Sequence, residues 1–229
     1  MTAKGAMVIV RGYVSGALAL AMAAKRVVPK ASLGMLVLSA QFADCLWPLL
    51  LLLGIEQVMI VPGITRVTPL DFVSYPISHS LLMQLVWGLL LGTICFFWRR
   101  DFRTAAVVGA LLSTHWLLDY FSHRPDMPLY PGGARVGLGM WNSLPMTLVV
   151  EYGLFTAGVA LYLKATQSKG GWNFGFWSFA IFLAVMYPAS LFGPPPPSVR
   201  ALAFSALALW LTIPWAAWGD RQRELRTLG

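Results

Sequence analysis

The chain has 229 residues, of which 58% are hydrophobic and 11% are charged. Ordinary soluble domains carry roughly 25% charged residues, so a soluble protein could not cover its surface with this composition. The net charge of +8 does not indicate nucleic-acid binding, because the basic residues lie in short clusters between apolar runs. The composition excludes an ordinary soluble domain and favours an integral membrane protein with no nucleic-acid partner.

Apolar runs of about 20 residues recur along the chain, the length that a helix needs to cross a hydrocarbon core of about 30 Å. Backbone groups in lipid must be bonded within their own segment, so we expect helices. We predict an all-α polytopic transmembrane helical bundle that forms a single integral membrane domain over residues 1–229. It has about seven spans, at 7–24, 33–53, 79–98, 104–122, 144–163, 175–192 and 199–217.

The first predicted span, 7–24, differs from the others because it contains Arg11 and several glycines. Residues 21–24 resemble a signal-peptidase site, so a cleaved signal peptide followed by six spans is the alternative. A basic cluster that begins at Lys25 follows at once. Because such a cluster resists translocation, the sequence favours a retained helix.

Basic residues are divided unequally between the connections. Two long loops, 54–78 and 123–143, are rich in Pro and Gly, and four prolines at 194–197 cannot be helical. The positive-inside rule places the basic loops and the C-terminus in the cytoplasm, with the long loops and the N-terminus outside. The predicted cytoplasmic basic residues are Lys25, Arg26, Lys30, Arg99, Arg100, Arg103, Lys164, Lys169, Arg221, Arg223 and Arg226.

The cysteines and several tryptophans are predicted to have structural roles. Cys45 and Cys95 lie inside apolar segments, and we expect them to be inert packing residues. Trp47, Trp141 and Trp172 lie near span ends and are predicted to form part of an interfacial aromatic belt.

Ionisable side chains inside membrane spans are costly and are commonly functional. Six such residues lie within a predicted span or at its end, and on the predicted topology none lies clearly in the inner half of the membrane. This agreement predicts one polar site in the outer half. The six residues are Asp44, His79, His115, Asp119, His123 and Glu151.

His115, Asp119 and His123 are spaced four residues apart, so their side chains would form one stripe along a helix. Imidazole and carboxylate groups both suit Zn²⁺ or Mn²⁺, and the stripe therefore indicates metal ligands. Polar residues from three other spans could complete one or two sites in the bundle core. The alternative is that these side chains only form hydrogen bonds between neighbouring helices.

Three short segments carry most of these residues. Residues 39–48 hold Asp44 in apolar sequence, residues 78–81 hold His79 at the start of a span, and residues 115–126 contain a His-x-x-x-Asp spacing. They resemble the Asp-containing helix, the His-Ser motif and the His-x-x-x-Asp helix of the bacterial membrane-bound metal-dependent hydrolases, which include an SOS-induced inner-membrane protein. The resemblance covers roughly residues 33–150.

This family is distantly similar to zinc-dependent phospholipase C. The resemblance implies a divalent metal, zinc or else manganese, with Asp44, His79, His115 and Asp119 as ligands. It also implies a location in a bacterial inner membrane. The family's early histidine has no counterpart, since no histidine precedes His79.

We therefore expect a membrane-embedded metal-dependent hydrolase with a site near the extracytoplasmic face. Its substrate would be a phosphoester or a lipid-like molecule, and membrane lipid would surround it. From their spacing and depth, and not from the family pattern, Glu151 and His123 are the candidate catalytic residues, as a further ligand or a general base. Arg124 and Arg135 could meet a substrate phosphate.

Two other functions fit the same polar residues. A transporter or permease also uses intramembrane histidines and carboxylates, although we detect no internal repeat of the kind that many transporters have. A non-catalytic membrane scaffold protein would use these side chains only to hold helices together.

Overall fold

The computed structural model describes residues 14–226, most of which are helical. The predicted first span begins outside these residues, and its described part forms the first helix. Within the described range the α-helices are α1 (Val14–Ala24), α2 (Leu33–Ala40), α3 (Phe42–Leu52), α4 (Pro76–His79), α5 (Leu81–Arg99), α6 (Phe102–Ser122), α7 (Leu144–Ala165), α8 (Phe174–Phe192), α9 (Val199–Ala206) and α10 (Thr212–Arg221).

Four segments of the described chain are long and apolar enough to cross a membrane: α5, α7, α8 and Val199–Arg221. The last joins α9 to α10 through a 3-10 turn, Leu207–Leu211. α2 and α3 form a fifth candidate only as a pair bent by 54°. α6 has 21 residues but is not among the candidates, because Arg103, His115 and Asp119 lower its hydropathy. The structure thus supports a helical protein with four or five candidate spans, and does not reach the predicted seven.

The long loops contain short antiparallel strand pairs. Within the described residues, three pairs form: β1 (Gln57–Ile60) with β2 (Leu70–Ser74), β3 (Met127–Pro128) with β4 (Arg135–Val136), and β5 (Thr166–Ser168) with β6 (Arg223–Leu225). The first two pairs lie in the two long Pro- and Gly-rich loops. The third joins the end of α7 to the segment after α10.

The two long loops pack against each other around a second hydrophobic core. Trp47 and Trp141 belong to this core and are only 3% and 4% exposed, so their assignment to an interfacial belt is wrong. Phe72, in the first long loop, packs against both tryptophan rings. Trp172, in contrast, is 72% exposed, as a belt residue would be.

α1 lies in the main core of the bundle, where Leu18 is fully buried. It packs closely on α7, because a Cβ atom on Gly158 would lie 2.6 Å from the Cα atom of Ala19. Cys45 and Cys95 are buried and free, in agreement with a packing role.

Candidate metal centre

An interruption between α2 and α3 creates the first part of the site. Gln41 has a non-helical backbone (φ −116°, ψ 19°), so α2 ends at Ala40 and a new helix begins at Phe42. Asp44 consequently lies in the first turn of α3, where the helix dipole favours a negative charge. The carbonyl oxygen of Ala40, at the end of α2, becomes available to a side chain.

A second interruption positions His79. This residue ends the single turn α4, and the extended backbone of Ser80 separates it from α5. Ser80 accepts a hydrogen bond from the backbone N–H of Met83 and so caps α5. His115 and Asp119 lie one turn apart on α6, and both are 2% exposed.

These interruptions bring the four predicted ligands together. Asp44, His79 and His115 each present one ligand atom, and the three atoms all lie within 4.8 Å of one another. The Nε2 atom of His79 is 3.5 Å from Asp44 Oδ1, and that of His115 is 3.8 Å from Asp44 Oδ2. Asp119 Oδ2 completes the cluster, at 3.3 Å from His115 Nε2 and 3.9 Å from His79 Nε2.

His115 turns a basic nitrogen toward this cluster. Its Nδ1 atom is 2.9 Å from the carbonyl oxygen of Ala40, which can only accept, so Nδ1 carries the hydrogen. When the ring is neutral, as a metal ligand must be, Nε2 holds the lone pair. Nε2 is buried, and its nearest acceptor in the cluster is Asp119 Oδ2, at 3.3 Å. A buried nitrogen lone pair that faces carboxylates is unfavourable unless a cation or a proton lies between them.

His79 is oriented in the same sense by a buried carboxylate. The hydroxyl of Ser78 donates to Glu56 Oε2 at 2.6 Å and lies 2.6 Å from His79 Nδ1. Since a hydroxyl has one proton, Ser78 accepts from His79 Nδ1–H, and Nε2 again holds the lone pair. Glu56 Oε1 also accepts from the backbone N–H groups of Ile77 and Ser78, each at 2.8 Å.

Glu56 was given no role from the sequence. It is 2% exposed, and its connection to His79 through Ser78 depends on the pairing of β1 with β2. Histidines that bind metals almost always donate their other ring N–H to a carboxylate, a carbonyl or water. Both histidines of the cluster meet that condition, His79 through Ser78 and His115 at Ala40.

The charges around the cluster favour a cation. Asp44, Glu56 and Asp119 provide three carboxylates, and within residues 14–226 none of them has a Lys or Arg partner within 4.0 Å. Buried carboxylates need cations or protons to neutralise them. Two imidazole nitrogens and two carboxylates form a donor set that Zn²⁺ or Mn²⁺ accepts. The residues present therefore fit a divalent metal ion.

His123 does not continue the stripe of His115 and Asp119. α6 ends at Ser122, and His123 has an extended backbone (φ −63°, ψ 147°) that takes its side chain off the helix surface. Its Nδ1 atom is 2.9 Å from Asp126 Oδ1. Its ring packs on Trp141, with centroids 4.2 Å apart. His123 therefore has its own carboxylate, and its catalytic role stays a prediction.

Tyr75 contacts both His79, in the cluster, and His123, outside it. Its hydroxyl donates to Asp126 Oδ1 at 3.1 Å, and its ring is 5.3 Å from the His79 ring, centroid to centroid. Burial, followed by the charges of Asp126 and Asp119, raises the pKa of Tyr75 well above its ordinary value. Tyr75 therefore stays protonated and acts as a hydrogen-bond donor.

Glu151 lies at a different place in the bundle. It is 1% exposed and its Oε2 atom accepts a hydrogen bond from the backbone N–H of Gly16, at 3.1 Å, where α1 meets α7. It is outside the group of ligand atoms formed by Asp44, His79 and His115. Its role as a ligand or general base stays a prediction.

Arg124 and Arg135 were predicted to contact a substrate phosphate. In the structure both connect the two long loops, 54–78 and 123–143. Arg124 forms ion pairs with Asp71 and Asp126, and Arg135 donates to the carbonyl of Val73 at 2.7 Å. Arg124 thus joins β2 to the loop after α6, and its charge is already compensated.

Comparisons of the chain with family models, with curated proteins and with solved structures find no match. The resemblance to membrane-bound hydrolases stays a prediction from short motifs, and any function has to be argued from the geometry of this site.

Proposed function

We propose that this protein is a membrane-embedded metal-dependent hydrolase that acts on a phosphoester or lipid-like substrate near the extracytoplasmic face. One observation carries the proposal. His79 and His115 both have Nδ1 occupied by an acceptor, and both direct Nε2 to the same pair of carboxylates, Asp44 and Asp119. Hydrogen bonding between helices would not require two basic nitrogens and two carboxylates to face one another.

The proposal includes about seven spans in a bacterial inner membrane, with the basic loops in the cytoplasm. α6 would be one of these spans, because its polar residues His115 and Asp119 face the interior of the bundle and are buried. The bent pair α2–α3 would be another. The two long loops would then cover the site from the outer side.

Asp44, His79, His115 and Asp119 would hold the ion, which we propose to be zinc or, alternatively, manganese. A divalent ion in such a site activates water for attack and polarises the phosphoester. Asp44 has the most exposed side chain of the four ligands, at 20%, and marks the side from which substrate enters. His123, oriented by Asp126, would take the proton of the attacking water.

Metal content tests the site directly. We expect purified protein to contain a stoichiometric divalent metal by elemental analysis, and the double variant His115→Ala/Asp119→Ala to lose it. His123→Ala is the matched control, since His123 is equally buried beside a carboxylate but lies outside the cluster. Equal metal content in all three proteins would end the proposal.

Hydrolysis tests the reaction. We expect metal-loaded protein in detergent to cleave p-nitrophenyl phosphate or a short-chain phospholipid, and Asp119→Asn to abolish the cleavage. A metal-containing protein that cleaves neither, but shows flux across liposomes that Asp119→Asn removes, would be a transporter. With neither activity, a scaffold with a structural metal remains.

A further inference from the structure

A long apolar groove runs along the exposed face of the α5–α6 hairpin, with a volume of about 730 Å³. The two helix backbones touch at its floor, because a Cβ atom on Gly88 would lie 2.6 Å from the carbonyl oxygen of Gly109. Larger side chains form its walls. These include Leu85, Leu89, Phe96, Phe97 and Phe102.

The groove has the length of one lipid leaflet. From Leu85 to Phe97 it extends about 18 Å, at the helical rise of 1.5 Å per residue. The hydrocarbon core of a bilayer is about 30 Å thick, so one leaflet contributes about 15 Å. An extended acyl chain of a single leaflet therefore matches the groove in length, whereas a complete transmembrane helix, at about 30 Å, is much longer than the groove.

Three arginines lie at one end of the groove: Arg99 ends α5, Arg100 lies in the turn, and Arg103 lies in the first turn of α6. Within residues 14–226, Arg99, Arg100 and Arg103 form no ion pair within 4.0 Å. Asp101, the acidic residue of this turn, accepts hydrogen bonds from the backbone N–H of Arg103 and the hydroxyl of Thr104, and so caps α6. The turn thus carries excess positive charge beside an apolar channel.

Arg100 connects this charge to the groove. Its backbone has a positive φ of 53°, a left-handed conformation that favours glycine. Within residues 14–226, every other residue with a φ in this region is a glycine. The Arg100 guanidinium lies over the ring of Phe97, 5.6 Å from the centroid, and Phe97 lines the groove. The left-handed conformation ends α5, because the backbone N–H of Arg100 donates to the carbonyl oxygen of Phe96.

We propose that this groove is a binding site for an anionic phospholipid, with one acyl chain between α5 and α6 and the phosphate on Arg100 and Arg103. The site depends on the chain lying in a bilayer and not on the metal centre, so either can fail alone. Each arginine near a membrane surface strengthens binding of anionic lipid about fivefold. A zwitterionic lipid with the same chains would gain much less.

Native mass spectrometry of the purified protein, titrated with phosphatidylglycerol or phosphatidylcholine of the same chains, tests the site. We expect phosphatidylglycerol to bind the unchanged protein at least fivefold more tightly. Arg100→Gly removes the guanidinium and relieves the backbone strain, so it should keep the fold and lose about fivefold in affinity. Arg221→Gln, an exposed arginine at the end of α10, is the control and should change little.

Ala106→Phe tests the apolar part, since Ala106 lines the groove and is exposed. The larger side chain should fill the groove and weaken binding of both lipids. Equal affinity for the two lipids, or equal effects of Arg100→Gly and Arg221→Gln, would overturn the proposal. An altered oligomeric state in Ala106→Phe with unchanged lipid binding would also overturn it, and would show a second copy of the chain in the groove.

Discussion

His115 donates its Nδ1–H to the carbonyl oxygen of Ala40, at 2.9 Å, across the gap between α2 and α6. The acceptor is available because α2 ends at Ala40, and the same interruption puts Asp44 in the first turn of α3. One break in a helix thus fixes the orientation of one ligand and the position of another. The geometry of the candidate metal centre depends on this local departure from regular helix.

Replacing His115 by Asn separates the two functions of its ring. The Asn amide can still donate to the carbonyl oxygen of Ala40, so the metal-free protein should keep most of its stability. Metal affinity should fall about 100-fold or more, because removing even an outer hydrogen-bond partner of a ligand lowers affinity about 10–100-fold. His115→Ala loses the donor as well and should unfold more easily, by about 1–3 kcal/mol, because the buried carbonyl is left unpaired. Metal titration and thermal unfolding of the metal-free proteins measure the two effects. Unchanged metal affinity in the Asn variant would exclude His115 as a ligand.

Glu56 and Ser78 should act on the metal through His79. Glu56→Gln and Ser78→Ala are each expected to weaken metal binding about 10- to 100-fold, the usual effect of removing an outer hydrogen-bond partner of a ligand. The double variant should lose much less than the sum of the two, since both belong to one chain of hydrogen bonds.

Ser80→Ala is the matched control for that pair. Ser80 is also fully buried and is the next residue after His79, but its hydroxyl accepts from Met83 N–H and caps α5, whereas the hydroxyl at His79 Nδ1 is that of Ser78. Its loss should cost about 1 kcal/mol of stability and leave the metal dissociation constant unchanged. If all three variants lower stability alike with no change in metal affinity, Glu56 only holds α4 in place.

Residue type and spacing indicated a cluster of polar residues, and the resemblance to membrane-bound hydrolases selected four candidate ligands from it. Neither indicated the residues that orient those ligands. His115 and Asp119 are neighbours on any helix because they are four residues apart. Glu56 reaches Ser78 only because Gln57 pairs with Ser74, which places the preceding residue beside the start of α4. That pairing joins two segments of a loop, and no periodicity in the sequence indicates it.

Helix breaks that the sequence does not indicate also explain why His123 leaves the stripe and why residues 33–53 do not form one straight span. The stripe of residues four apart assumed a helix beyond Ser122, yet the helix ends there. Hydropathy also gave 33–53 as one span, whereas Gln41 divides it into two helices bent by 54°. Local breaks of this kind depend on tertiary contacts, such as the hydrogen bond from Gln41 to Thr212 at 2.5 Å.

Close contact of α5 with α6 should make Gly88 sensitive to any side chain. A Cβ atom there would lie 2.6 Å from the carbonyl oxygen of Gly109, so Gly88→Ala must separate the helices, at a cost of about 1–3 kcal/mol. Gly153→Ala on α7 meets nothing within 4 Å and should instead stabilise the protein by about 0.5–1 kcal/mol. Thermal unfolding in detergent compares the two. Equal effects of both substitutions would show that the helices can separate freely.

Lys25 was predicted from its charge to be a cytoplasmic topology signal, and the structure buries it. Its Nζ atom lies 2.6 Å from Asp220 Oδ2 and also donates to the carbonyl of Ala31 at 2.7 Å. Asp220 further accepts from the backbone N–H of Leu33 and from the hydroxyl of Tyr162. This ion pair therefore holds the end of α10 against the connection between α1 and α2.

Removing one member of such a pair leaves a buried charge uncompensated, so Lys25→Met should destabilise the protein by about 3–5 kcal/mol. The double variant Lys25→Met/Asp220→Asn should recover part of this loss, because no isolated charge remains. Lys30→Met is the control, since Lys30 is exposed and its loss should be nearly neutral. Chemical unfolding of the unchanged protein and the three variants would measure these differences in the free energy of unfolding. Equal stabilities for Lys25→Met and Lys30→Met would mean that Lys25 contributes only to topology, and that Asp220 is held by Leu33 and Tyr162 alone.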